Sequence, residues 1–240
     1  MPSAELYADT RAVAELAGDL VDAMWTLFAM HYTDVGRASF ERDLRGKDHV
    51  FLLMGRADGV LRGFSTVQSY VQSVAHRRVL VIYSGDTICD PRFWGQRVLH
   101  SAFLRYVMRR KLAHPFTPAY WFLISKGYKT YLLLARNFVE YWPRPERDTP
   151  AFPSALLDTL AREKFGHAWL PREGILRFAA PMGRLRPNVA PAGARELANA
   201  HIRFFAERNP GAPAGDELGR LGGIGVGLAL NYARRRALRA

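Results

Sequence analysis

The segment that most constrains this chain runs from residue 79 to residue 108. It begins inside RVLVIYS (residues 78–84), where nearly every side chain is apolar. A strand with no polar phase must be covered on both faces, which calls for an α/β arrangement with a central strand. Residues 85–95 (GDTICDPRFWG) read as a loop. Residues 96–111 read as a helix with Leu99, Ala102, Phe103, Tyr106 and Val107 on one face. Pro115 and Pro118 end that segment.

The flanking patterns extend this unit. Residues 12–30 read as an amphipathic helix, with Val13, Leu16, Leu20, Met24 and Phe28 at helical spacing and Asp9 or Thr10 as its cap. A short helix over 39–44 puts Phe40 and Leu44 on one face. HVFLLM (49–54) and VLRGFSTVQSY (60–70) read as strands, and Asp58-Gly59 between them is a hairpin signal. AYWFLI (119–124) is a fourth strand, and 127–138 a short helix carrying Tyr131, Leu132 and Leu134. Residues 141–153 hold four prolines and read as an extended crossover. Helices are expected over 154–165 and 194–208, the second stopped by Asn209-Pro210-Gly211. Residues 188–193 read as a loop, and Gly215-Asp216 as part of a structured loop. The glycine-rich apolar stretch 221–232 is expected at a domain edge or in a chain-end helix, followed by Arg234-Arg235-Arg236. The order predicts an α/β fold: a mixed sheet with an antiparallel front and a parallel crossover behind it.

Charge and cysteine usage narrow the function classes. Lys and Arg number 34 against 22 Asp and Glu, a net +12, so anionic partners are favoured. The single cysteine, Cys89, excludes an intramolecular disulfide framework and a Cys-rich zinc site. It has no His partner in the sequence that would mark a nucleophile. His31, His49 and His201 form no metal-ligand pattern. The first sixteen residues carry acids and no apolar core, unlike a secretory leader, and no apolar run reaches 18 residues. A cytoplasmic location is expected. The run Gly222–Gly227 lacks the strand–turn–helix context of a dinucleotide fingerprint. Its apolar character before three arginines suits contact with a membrane surface.

The 79–108 unit also suggests a chemistry. A strand–loop–helix turn presents backbone N–H groups at the positive end of a helix, where a pyrophosphate is favoured. Arg92 and Arg97 would add charge-assisted hydrogen bonds, and Gly95 would let backbone and phosphate approach closely. The same features also fit a plain helix start with solvated arginines. From residue 92 to residue 144 ten basic residues, Arg92, Arg97, Arg105, Arg109, Arg110, Lys111, Lys126, Lys129, Arg136 and Arg144, face one acid, Glu140. That suits docking of CoA phosphates or an acidic carrier, and equally a solvated helix face. No nucleic-acid-binding motif is present.

Over residues 12–142 this layout resembles the GNAT (GCN5-related N-acetyltransferase) superfamily. The acyl-CoA loop of that superfamily follows Gln/Arg-x-x-Gly-x-Gly/Ala. Here the segment is Arg92-Phe93-Trp94-Gly95-Gln96-Arg97. The first and fourth positions match; the sixth is arginine. The resemblance implies an acyl-thioester site at Arg92, Trp94, Gly95, Gln96 and Arg97, with acyl-CoA or acyl carrier protein as donor and no permanently bound cofactor. It implies a GNAT-like core over 1–142 and a mostly helical C-terminal extension, 143–240, packed on it. It also implies a proton donor to the leaving thiolate on the helix after the fourth strand, Tyr131 or its neighbour Tyr128. Asp86, just past the buried strand, could bind or deprotonate an amine, and equally cap a turn.

The expected activity is transfer of an acyl group to a primary amine of a small molecule or peptide. Phe93, Trp94, Tyr120, Trp121 and Phe122, with Leu197, Ile202, Phe204 and Phe205 of the extension, point to a chain longer than acetyl, and the resemblance leaves N-acyl amino acid synthases and acyl-homoserine-lactone synthases both open. The alternative is a non-enzymatic scaffold of the same shape that binds acyl-CoA, anionic lipid or nucleic acid.

Overall fold

The computed structural model describes residues 5–179, 184–185 and 193–225. The expected loop at 188–193, apart from Gly193, and the stretch beyond Gly225 with its three arginines lie outside the described residues. The chain forms two compact units. The first comprises residues 1–70 and 82–116, and the second residues 71–81 and 117–240. The segment from 143 onward thus shares its unit with residues 117–142.

In the first unit, β1 (Leu6–Ala12), β2 (His49–Gly55), β3 (Leu61–Val74) and β4 (Arg77–Cys89) lie in sequence order across the sheet. Strands β3 and β4 continue into the second unit. The β2–β3 hairpin closes at the expected Asp58-Gly59, where Asp58 Oδ1 accepts the Val60 N–H at 3.0 Å. Alternation along β2 then sorts its side chains. Val50 and Leu52 join Phe64 against Met24 and Phe28 of α1 (Gly18–His31) and Phe40 and Leu44 of α2 (Arg37–Arg45). Phe51 points the other way, edge-on to Phe103 and Tyr106 of α3 (Val98–Ala113), with ring centroids 6.3 and 5.7 Å away. Helices therefore cover both faces of β2.

Two expectations in this unit are corrected. The helix predicted over 12–30 is found as α1 from Gly18 onward, but its start is corrected: Ala12 ends β1, Val13–Glu15 is a 3-10 turn, and Asp9 and Thr10 are strand residues instead of caps. LYADTRA has no strand-like alternation of its own; its full-length antiparallel pairing to β2 makes it an edge strand. The first part of the predicted loop 85–95 is strand, because β4 runs through Gly85 and Asp86 to Cys89, and only residues 90–95 are turn and loop. Its polar residues find partners across the sheet: Thr87 shares a 2.8 Å hydrogen bond with Ser65, and Asp90 N–H donates to the Arg62 carbonyl.

In the second unit, β5 (Ala119–Ser125) follows β4 in the sheet, the Leu80 N–H donating to the Pro118 carbonyl at 2.8 Å. The two strands start side by side and so run parallel, which makes the sheet mixed. Helix α4 (Tyr128–Asn137), β6 (Tyr141–Trp142), α5 (Ala151–Phe165), β7 (Trp169–Leu170) and β8 (Ile175–Leu176) follow. The helix expected over 194–208 is two, α6 (Ala194–Leu197) and α7 (Ala200–Arg208). The Asn199 side chain accepts the His201 and Ile202 N–H groups and restarts it.

The largest correction concerns the glycine-rich stretch. Its described part belongs to β9 (Glu217–Ile224), a strand inside the sheet between β5 and β8 that also pairs with β6. A Cβ at Gly222 would lie 2.6 Å from Leu134 Cδ2 and 2.8 Å from the Phe138 ring. Glycine here lets α4 pack directly on the strand. The same residues that removed the strand signal from the sequence are the ones close packing requires.

Candidate active site

The segment singled out for donor binding lies at the start of α3 in the first unit. After β4, a 3-10 turn at Pro91–Phe93 leads into Trp94, Gly95 and Gln96. Gly95 has φ +88°, a left-handed conformation that costs glycine little, and it turns the chain into α3. Phe93, Trp94, Gly95 and Gln96 line a pocket of about 140 Å³ together with Leu6, Leu53, Cys89, Val98, Leu99 and His100. The pocket is mainly apolar and opens at the N-terminus of α3. No side chain caps that helix, and it carries no acid in its first turn. Sixteen residues of aligned peptide dipoles thus present their positive end beside an apolar hollow.

The expected residues occupy different positions around it. The Trp94 indole donates to the Cys89 carbonyl at 2.8 Å while the residue stays 44% exposed. The Gln96 side chain accepts the Leu6 N–H at 3.2 Å and ties the loop to β1. Arg97 sits at the N-cap of α3. Arg92 points outward with 74% of its side chain exposed, and Asp90 holds it through 2.6 and 3.1 Å contacts. Those hydrogen bonds keep the Asp90 carboxyl below the usual carboxylate range.

Two pocket residues were missed in the sequence. Burial, then the charge of Asp90, pushes the Cys89 thiol up to about 11, so it is neutral and unreactive near pH 7. Burial, then Arg97, lowers His100 and keeps its imidazole neutral. Nothing in the spacing of either residue signalled the pocket, because β4 and α3 meet there only through the turn at Gly95.

The acid–base candidates fall in different units. Asp86 is half-buried on β4, in the first unit. Tyr131, in the second unit, is fully buried and donates its hydroxyl to the Pro143 carbonyl at 3.2 Å. Burial, then the neighbouring Tyr141, holds it protonated well above the ordinary tyrosine range. Phe204, Phe205, Tyr141 and His201 ring it at centroid distances of 6.0, 5.9, 6.2 and 6.4 Å. Tyr128 begins α4 and is half-buried.

The ten-to-one basic excess is partly neutralised by acids outside its sequence window. Asp90 pairs with Arg92, Glu146 with Arg144, and Glu217 with Lys126. Ile202 and Phe205, expected over an acyl end, are buried in α7 where it packs against α4. Among the described residues no group of acids, histidines or cysteine has metal-site geometry, and no helix is long and apolar enough to cross a membrane.

No known family profile matches the chain, and no curated protein sequence matches it. Solved structures do. A conserved Enterococcus faecalis V583 protein described as a probable N-acyltransferase aligns with TM-score 0.41 and 13% identity, over 58% of this chain and 37% of its own. Escherichia coli ElaA aligns with TM-score 0.37 and 15% identity, over 59% of this chain and 95% of its own. An acyl-CoA N-acyltransferase from Pseudomonas aeruginosa aligns with TM-score 0.38 and 17% identity, over 56% and 89%. This chain therefore spans little more than a third of the first of these. At these TM-scores, the roles of its residues have to come from its own geometry.

Proposed function

We propose that the chain is an N-acyltransferase that takes an acyl thioester at the start of α3 and passes the acyl group to a primary amine. One observation carries this: the apolar pocket formed by Phe93, Trp94, Gly95 and Gln96 opens at the uncapped N-terminus of a sixteen-residue helix. An acyl thioester joins an apolar acyl group to a polyanionic tail, and the pocket and helix end complement those two parts. Helix α3 also carries Arg105, Arg109, Arg110 and Lys111 and no acid, which suits CoA phosphates or an acidic carrier protein.

The chemistry needs a held carbonyl, a neutral amine and a proton for the leaving thiolate. Asp86 is the candidate to orient the amine. Of the two tyrosines on α4, Tyr131 is sealed and committed to the Pro143 carbonyl, whereas Tyr128 is reachable. Tyr128, the less buried of the pair, is taken as the candidate proton donor that the resemblance implies. A pocket of about 140 Å³ is smaller than the ~300–1,000 Å³ of sites that swallow a drug-sized ligand. That supports a short acyl group over the longer chain expected from the aromatic residues.

The test combines occupancy with turnover. Cys89 lines the pocket, so acetyl-CoA should slow its alkylation by iodoacetamide at pH 9, read by mass spectrometry of the intact protein. The same preparation is then given donors from acetyl to palmitoyl with a mixed pool of amines. Protection together with an N-acylated amine supports the proposal. An unprotected Cys89 and no consumed donor would leave the non-enzymatic scaffold.

A further inference from the structure

On the face of β9 that α4 covers, Leu218, Arg220, Gly222 and Ile224 alternate, and Arg220 is the only charged residue among them. It is fully buried. Its Nε, Nη1 and Nη2 are all sealed from solvent, and none has a hydrogen-bond partner among the described residues. A guanidinium carries five N–H donors and no acceptor, so a buried one with nothing to bond to is far more costly than an ordinary buried polar group. The described surroundings supply little compensation. The face of the Tyr131 ring lies 5.7 Å from the guanidinium carbon. Glu217, the nearest acid along the strand, is held by Lys126 at 2.9 Å. Burial pushes Arg220 down to about 9, which still leaves it cationic at neutral pH.

We infer that Arg220 anchors a second binding site, one that takes a small monocarboxylate with an apolar body. A carboxylate matches the planar fork of a guanidinium with two parallel hydrogen bonds and removes the uncompensated charge. The apolar body follows from the ring cluster built on Tyr131, which includes Tyr141, Phe204 and Phe205. A single negative charge follows from the local balance. Glu217 is already matched by Lys126 and Glu146 by Arg144, so Arg220 is left as one positive charge to be met by one negative charge. The site lies within the second unit and needs no acyl donor, so it stands or falls apart from the acyl-transfer proposal.

The experiment uses the full chain without donor, with sodium benzoate as probe. Benzyl alcohol serves as the uncharged control and sodium phosphate as the dianionic one, read by thermal shift and calorimetry. Wild type should gain stability saturably with benzoate, and neither control should act. Arg220→Met should abolish the response. If that variant does not fold, Arg220→Lys serves, since it keeps the charge without the fork; its benzoate affinity should fall tenfold or more. No saturable benzoate response in wild type would overturn the site and leave buried water as the partner of Arg220. Benzoate affinity unchanged by substitution would overturn the assignment to Arg220, and phosphate binding tighter than benzoate would overturn the monocarboxylate.

Discussion

Arg92 and Arg220 are opposites. Arg92 sits where a sequence pattern points, beside a helix start and a glycine turn, yet it is exposed and already paired with Asp90. Arg220 sits in a stretch with no motif, yet it is sealed and has no hydrogen-bond partner among the described residues. On the proposed reading, charge marks a ligand site when it is both confined and uncompensated. An exposed guanidinium has water, and here a carboxylate, as partner in the free protein. A buried one carries its full desolvation cost until something arrives.

The largest expected effect tests whether the second-unit cluster around Tyr131 is catalytic or structural. Tyr128→Phe should lower turnover by roughly 10²–10⁴-fold if Tyr128 protonates the thiolate. Tyr131→Phe should leave turnover within a few-fold and cost about 1 kcal/mol of stability through the lost bond to the Pro143 carbonyl. Steady-state kinetics with urea unfolding of both variants would decide it, and the reverse pattern would return the role to Tyr131.

A smaller effect is expected from Arg220→Met without ligand. Replacing a buried unpaired cation with an apolar side chain of similar length should stabilise the protein by about 1–3 kcal/mol, the lost contact with the Tyr131 ring being subtracted. Urea unfolding at pH 7 measures it. A loss of stability would mean that Arg220 is compensated in the free protein and would remove the contrast with Arg92.

The smallest effect concerns the exposed arginine. If Asp90 masks Arg92, then Asp90→Asn should tighten CoA binding by about two- to five-fold, as expected for one solvent-screened pair. Raising the salt should shrink that gain. Calorimetry at two ionic strengths would show it, and equal affinities for wild type and variant would take Arg92 out of donor binding.

Much of the proposed donor region was legible because its signals are local. The apolar run of β4, the hairpin at Asp58-Gly59, the apolar face of α3 and the turn at Gly95 each depend on residues close together in the chain. The pocket itself was less so, since Leu6 and Leu53 enter it from β1 and β2. Strand β1 escaped notice because an edge strand with LYADTRA has few apolar positions and takes its form from pairing with β2.

The sequence by itself determined the α/β class, the strand–turn–helix unit and the basic balance, because periodicity, turn chemistry and charge are properties of neighbouring residues. Only the tertiary structure decided that residues 221–224 of the glycine-rich stretch belong to an interior strand, that Ile202 and Phe205 lie against α4, and that Arg220 is buried with no hydrogen-bond partner among the described residues. Those outcomes depend on which distant elements meet. At β9 the deciding fact is steric: glycines that look like flexible chain in sequence bring a helix within contact of the backbone.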